Sequence, residues 1–359
     1  MYFNTKTSEY DMRGMADDRG NIEARALDII MVRKERPMRI LKQILGTLAT
    51  GYILLYYSEL MFWARVRPGD SLKDWVSTWL LYSLLGYILL TLIARFRVSG
   101  IWALFLAGAV FGWLAEGLVV QTAYDSLPLS ISFTGLAWHA LISVCAGWYA
   151  VRRALDSGLR PTMGWAAGIG LAYGFWAISW WLEPDGGKAT PYEFAIYSFS
   201  STLLLVIAYW IHDRIIPGSF KPNRVAEMII ALLLLAYFIF VTIPAAPLSA
   251  VILPVLLAGM YLSLNRNQQV EEGKSLLDRA PGNISGWRYP ALFALPLTAS
   301  AFYALAFRLG LQWHTNWLVY LVTMPAGFLM LILSLVKVWR RRAKPGDLSD
   351  GFSEPRVFF

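Results

Sequence analysis

Ten runs of predominantly apolar residues constrain this chain more than anything else in it: 42–64, 75–96, 100–122, 130–151, 163–182, 191–212, 225–243, 247–263, 290–311 and 316–338. Runs of about 20 residues match the hydrocarbon core of a bilayer. A segment in lipid must pair its own backbone groups, so each run is predicted to be a helix. The fold class that follows is an all-α, polytopic integral membrane bundle of about ten transmembrane helices. The run at 247–263 is the weakest, being short, containing Pro254 and following the seventh only by "PAAP", so a nine-span or re-entrant arrangement stays open there.

Composition agrees. Residues are 57% hydrophobic and only 16% charged, where a soluble domain carries about a quarter. The expected layout is a cytoplasmic tail over 1–40, a transmembrane domain over 41–339 and a second cytoplasmic tail over 340–359. A cytoplasmic loop at 264–289 reads as a linker between the first eight spans and a final pair. Cys145 is the sole cysteine, so no intramolecular disulfide is possible.

Charge placement sets an expected orientation. With the N-terminus in the cytoplasm, 22 of the lysines and arginines flanking the spans fall on the cytoplasmic side, against Arg65, Arg67, Lys73 and Lys188 opposite. That bias follows the positive-inside rule and predicts both termini in the cytoplasm of a plasma-membrane protein. It also accounts for the net charge of +8 without a nucleic-acid partner. The expected partners are the bilayer and a small-molecule or lipid substrate; protein partners are open.

Ionisable groups inside spans are costly and tend to face the bundle interior. Glu116, in "FGWLAEGLVV", lies roughly 9 Å below the outer end of its span at 1.5 Å per residue. Glu59, in "YYSELMFW", lies roughly 7 Å deep, and His139, in "FTGLAWHAL", roughly 13 Å. The cytoplasmic half is expected to hold almost no buried charge. This asymmetry predicts an outward-facing polar cavity with Glu59, Glu116 and His139 as its proton, cation or substrate site. Tyr124, Asp125, Trp176, Trp180, Glu183 and Arg308 are the candidate lining residues, Trp176, Trp180 and Glu183 sharing a face of "YGFWAISWWLEP". Tryptophans near span ends, among them Trp63, Trp180, Trp313 and Trp317, fit interfacial anchoring.

Motif searches exclude several chemistries. No GxxxxGK[ST] loop, GxGxxG turn, HExxH, CxxC or serine-nucleophile signature occurs. Three histidines in all leave little room for a three-histidine zinc site. A mixed site of Glu116, His139 and another carboxylate or His314 stays chemically open, but no metal and no cofactor is assigned. The segments "LAEGL" and "ISFTGLAWHAL" are similar to the glutamate motif and the first histidine helix of intramembrane proteases of the CAAX-processing type. That likeness is confined to residues 114–141, and it departs from the family where a second glutamate would be Gly117 and an arginine Gln121. It is not taken as membership.

Three functions are consistent with these residues. The first is a proton- or cation-linked transporter or small-molecule binding protein. The second is an intramembrane hydrolase, metal-dependent or not, acting on a lipid or peptide at the outer interface. The third is a non-catalytic accessory subunit. Whether the protein is an enzyme is left open at this level.

Overall fold

The structure, a computed structural model, describes residues 38–183, 188–271, 273–278 and 284–341. Most of both expected tails and the middle of the 264–289 loop lie outside the described residues. The chain divides into two units, Met1–Leu45 and Gly46–Phe359. In the first, residues 38–45 are helical.

The second unit contains the helices that matter for function, and no strand occurs among the described residues. They are α1 (46–63), α2 (Leu72–Arg95), α3 (Ile101–Val119), α4 (Ile131–Ser157) and α5 (159–182), followed by α6 (Pro191–Ile215), α7 (Arg224–Ala245), α8 (Ser249–Val270), α9 (Gly286–Arg308) and α10 (Thr315–Arg340). Eight of these, all except α1 and α5, are long and apolar enough to cross a membrane. The exceptions carry what lowers hydropathy: Glu59 and three tyrosines in α1, four glycines and four tryptophans in α5. The doubtful run at 247–263 becomes a 22-residue helix with Pro254 inside it.

Helix starts follow local chemistry. Ser71 and Asp74 form a reciprocal capping box at α2, and Thr190 and Glu193 do the same at α6, where Pro191 takes the first turn. There the missing N–H costs nothing, because the first turn has no intrahelical acceptor for it. Asn223 caps α7 through the N–H groups of Val225 and Ala226.

The centre of the bundle is α3 beside α4. In α3, 83% of the apolar window is buried inside the protein, against 6% in α7, which leaves α7 peripheral. The α3–α4 approach is backbone to backbone: a Cβ added at Gly112 would lie 2.0 Å from the Gly135 carbonyl oxygen. The final pair packs against earlier helices, α9 along α5 and α6, and α10 across α4, α3 and α8. Small residues permit this too, since a Cβ at Gly170 would meet the Leu295 oxygen at 2.2 Å, and Ser132 Oγ donates to Met324 O at 2.7 Å.

Four helices depart from the α-helical winding. Tyr56–Leu60 in α1, Leu114–Val119 in α3, Ile131–Val151 in α4 and Phe238–Thr242 in α7 are wound with wider, i→i+5 turns. Such turns are rare and occur frequently at functional sites.

Glycine contacts generate a direct test. Gly112→Ala is expected to destabilise the protein by about 1–3 kcal/mol, because the backbones must separate. Gly168→Ala, where an added Cβ meets nothing within 4 Å, is expected to be neutral or mildly stabilising through helix propensity. Thermal unfolding of the two variants in the same detergent checks the contrast.

Candidate functional site

Three of the wide turns converge on the ionisable residues. Glu59 and Ser58 sit in the wide turn of α1, Glu116 in that of α3, and His139 and Ser143 in that of α4. A wide turn inserts one residue into a helix and leaves some carbonyls without their usual donors. At the end of α3 those carbonyls are taken by side chains. Tyr124 Oη donates to Gly117 O at 2.8 Å and Thr242 Oγ1 to Leu118 O at 2.6 Å, while Gln121 Nε2 donates to both Leu118 O (3.0 Å) and Val119 O (2.6 Å). Burial pushes the Tyr124 hydroxyl up to about 12, so it remains a donor to Gly117. Gln121 itself takes the left-handed conformation, φ 68°, that ends the helix.

Glu116 and His139 are in direct contact. Glu116 Oε1 lies 2.7 Å from His139 Nε2, and the other oxygen accepts from Thr122 Oγ1, with Thr134 a further partner. On the far side of the ring, His139 Nδ1 lies 2.8 Å from Ser58 Oγ. Ser58 Oγ continues to Ser143 Oγ at 2.8 Å, and Ser143 reaches Trp138 O at 3.1 Å. Glu116, His139 and Ser58 are 7%, 2% and 3% exposed. The pair is therefore enclosed, whereas an open outward cavity was the expectation from the sequence.

Glu59 stands at the rim. It is half-buried, accepting from Tyr82 Oη at 2.6 Å and from Trp63 Nε1 at 3.0 Å. Tyr82 also interacts with Ser58. One polar network thus links α1, α2, α3 and α4.

Aromatic rings pack around Phe62, whose carbonyl accepts from both Trp176 Nε1 (2.6 Å) and Trp180 Nε1 (2.7 Å). Trp180 stacks on Trp63 with centroids 5.0 Å apart, and Trp138 and Trp176 lie 4.8 Å apart. Trp63 and Trp180 are accordingly packed against each other, more than interfacial anchoring alone requires. Glu183 accepts from Asn316 Nδ2 at 3.3 Å, and Trp176 contacts Tyr320. Asp125 is exposed on the segment between α3 and α4, and Arg308 is exposed at the end of α9. His314 is also exposed, and among the described residues no three His, Cys, Asp or Glu side chains form a group able to hold a metal ion.

The sequence reading missed Ser58 and Ser143. An uncharged serine in an apolar span carries no distinguishing signal, although Ser58 stands next to Glu59 and Ser143 four residues after His139. It also placed almost no buried charge toward the other end of the helices, and this needs correction. There Arg152 Nε meets Asp213 Oδ1 at 2.6 Å, Tyr289 Oη donates to Asp213 Oδ2 at 3.1 Å, and the Asp213 side chain is 2% exposed. The reason is length: α4 runs on to Ser157 and α6 to Ile215, so both charges lie within helices rather than in loops.

No family model, no curated protein and no solved structure matches this chain.

A buried pair that is bonded on both sides should be energetically coupled. A double-mutant cycle of Glu116→Gln and His139→Gln, followed by thermal or denaturant unfolding, is expected to return a coupling of about 0.5–3 kcal/mol. Each single change is expected to destabilise, because it leaves its partner buried with an unmatched polar group.

Proposed function

We propose that this multi-pass membrane protein is a proton-linked transporter or small-molecule binding protein whose proton site is Glu116 with His139. The observation that carries this reading is the order of hydrogen bonds from Glu116 through His139, Ser58 and Ser143 to the Trp138 carbonyl. Two complete sets of hydrogen positions fit the same heavy atoms. In the first, Ser143 donates to Ser58, Ser58 donates to His139 Nδ1, and Nε2–H donates to a Glu116 carboxylate. In the second, Glu116 carries a proton and donates to Nε2, Nδ1–H donates to Ser58, Ser58 donates to Ser143, and Ser143 donates to Trp138 O. The second set holds one more proton than the first. Buried hydrogen-bond networks of this kind favour full satisfaction, and here satisfaction is available in both states.

Size supports the same reading. A proton can reach enclosed groups along hydrogen bonds from Glu59 and Tyr82, which a larger substrate cannot do without helix movement. Charge bias would place this end of the bundle on the outer side of a plasma membrane. The ligand moved or bound would contact the aromatic cluster around Phe62 beside Glu59.

One observation favours a second reading, an intramembrane serine hydrolase. Ser58, His139 and Glu116 are bonded in the order of a nucleophile, a base and an orienting acid. It would need a substrate carbonyl brought to Ser58 Oγ, which is enclosed by His139 and Ser143.

An infrared pH titration separates these readings. Under the proton reading, a protonated-carboxyl C=O band appears on acidification, is absent from Glu116→Gln and shifts in Ser58→Ala. A band set unchanged by both substitutions would sink it. Labelling of the wild type, but not Ser58→Ala, by a fluorophosphonate probe would instead support the hydrolase.

A further inference from the structure

We infer that a single buried water molecule bridges Trp148 Nε1 and His212 Nε2 near the Asp213 end of the bundle, as a second hydrogen-bonding station on the path proposed above. Its role rests on the proton reading; its existence does not.

The Thr50 hydroxyl lies 2.8 Å from both Gly46 O and His212 Nδ1; when it gives its one proton to Gly46 O, the ring donates to it through Nδ1. In the neutral ring, Nε2 then holds a lone pair and needs a donor. It has none: His212 Nε2 is buried without a protein partner, and the residue is 0% exposed. The neighbouring ring has the opposite deficit. Trp148 is also 0% exposed, and its indole N–H, a donor only, lacks an acceptor. The two rings lie edge to face with centroids 5.7 Å apart.

A buried polar atom without a partner costs about 1–3 kcal/mol, and here two belong to neighbouring rings and, with the Nδ1–H tautomer, have complementary needs. The guest that answers both accepts one hydrogen bond from the indole and donates one to the imidazole. A water molecule does this, and buried waters characteristically join otherwise unsatisfied polar groups.

Position gives the water its role. Thr50 lies eight residues before Ser58 on α1, about 12 Å along the axis. Between them Tyr57 Oη and Tyr209 Oη are 3.1 Å apart, and Tyr209 donates to the carbonyl of Gly147, next to Trp148. The charged group that acts on His212 is Arg152 on α4, which pairs with Asp213 on α6, itself bonded by Tyr289 on α9. The Arg152 guanidinium covers the Trp148 ring at 5.0 Å.

The test is indole N–H spectroscopy of the full-length protein in lipid nanodiscs, with ¹⁵N-labelled tryptophan and the Trp148 signal assigned by its loss in Trp148→Phe. Expected is a cross-peak from the Trp148 N–H to a long-lived water, lost in His212→Phe and retained in His212→Gln, which keeps a hydrogen-bonding side chain and checks folding. Trp113, whose indole donates to Ile131 O at 3.0 Å, serves as the dry control. A Trp148 signal with no more water contact than Trp113 overturns the site. So does a cross-peak that survives unchanged in His212→Phe. If the cross-peak is present while the Glu116 infrared band is missing, the water site stands and only the proton reading fails.

Discussion

A carboxylate withdrawn from water must be met by donors inside the protein, and much of this bundle is arranged around meeting one. Glu116 needs partners for both oxygens, and it finds His139 and Thr134 on α4 and Thr122 on the connection that follows α3. His139 in turn needs a partner for its second nitrogen, which brings in Ser58 on α1, and Tyr82 adds α2. Four consecutive helices are thereby held in one register by polar contacts, in an interior where dispersion alone discriminates poorly between registers.

The backbone makes room for this arrangement and is altered by it. Gly112 against Gly135 lets α3 and α4 approach closely enough for an acid and an imidazole to bond directly rather than across intervening methyl groups. The wide turns then aim Ser58, Glu116, His139 and Ser143 inward, and the carbonyls they release are recovered by Tyr124, Gln121 and Thr242. Gln121, which looks from the sequence like a failed arginine in a protease motif, turns out to close the end of α3.

Much of the fold was legible because lipid solubility leaves a coarse mark: long apolar runs, basic loops and proline-limited ends. The meeting of Glu116 and His139 was legible in part, since a short connection makes α3 and α4 antiparallel neighbours and depth counting puts both residues in the outer half of the bilayer. Three things were not. Ser58 and Ser143 are ordinary serines whose importance comes only from what faces them. The Arg152–Asp213 pair was hidden by span boundaries drawn at the last apolar residue, although charged residues can prolong a helix once they neutralise each other. The packing of α9 along α5 depends on Gly170 and Gly174 against backbone carbonyls, a fit that no apolar pattern in the sequence announces.

The row of hydroxyls beyond His139 has a direction, and that has a consequence of its own. If Glu116 gains and loses a proton as proposed, every donor between Ser143 and Glu116 points one way when the acid is empty and the other way when it is filled. A proton handed along such a row would leave each hydroxyl turned behind it, so no second proton could follow until Ser58 and Ser143 rotate back. On that reading the row would act as a turnstile rather than an open pipe: it would admit one, lock, and need resetting. Ser143 can take either stop without breaking its neighbours' bonds, because both Ser58 Oγ and Trp138 O lie within its reach.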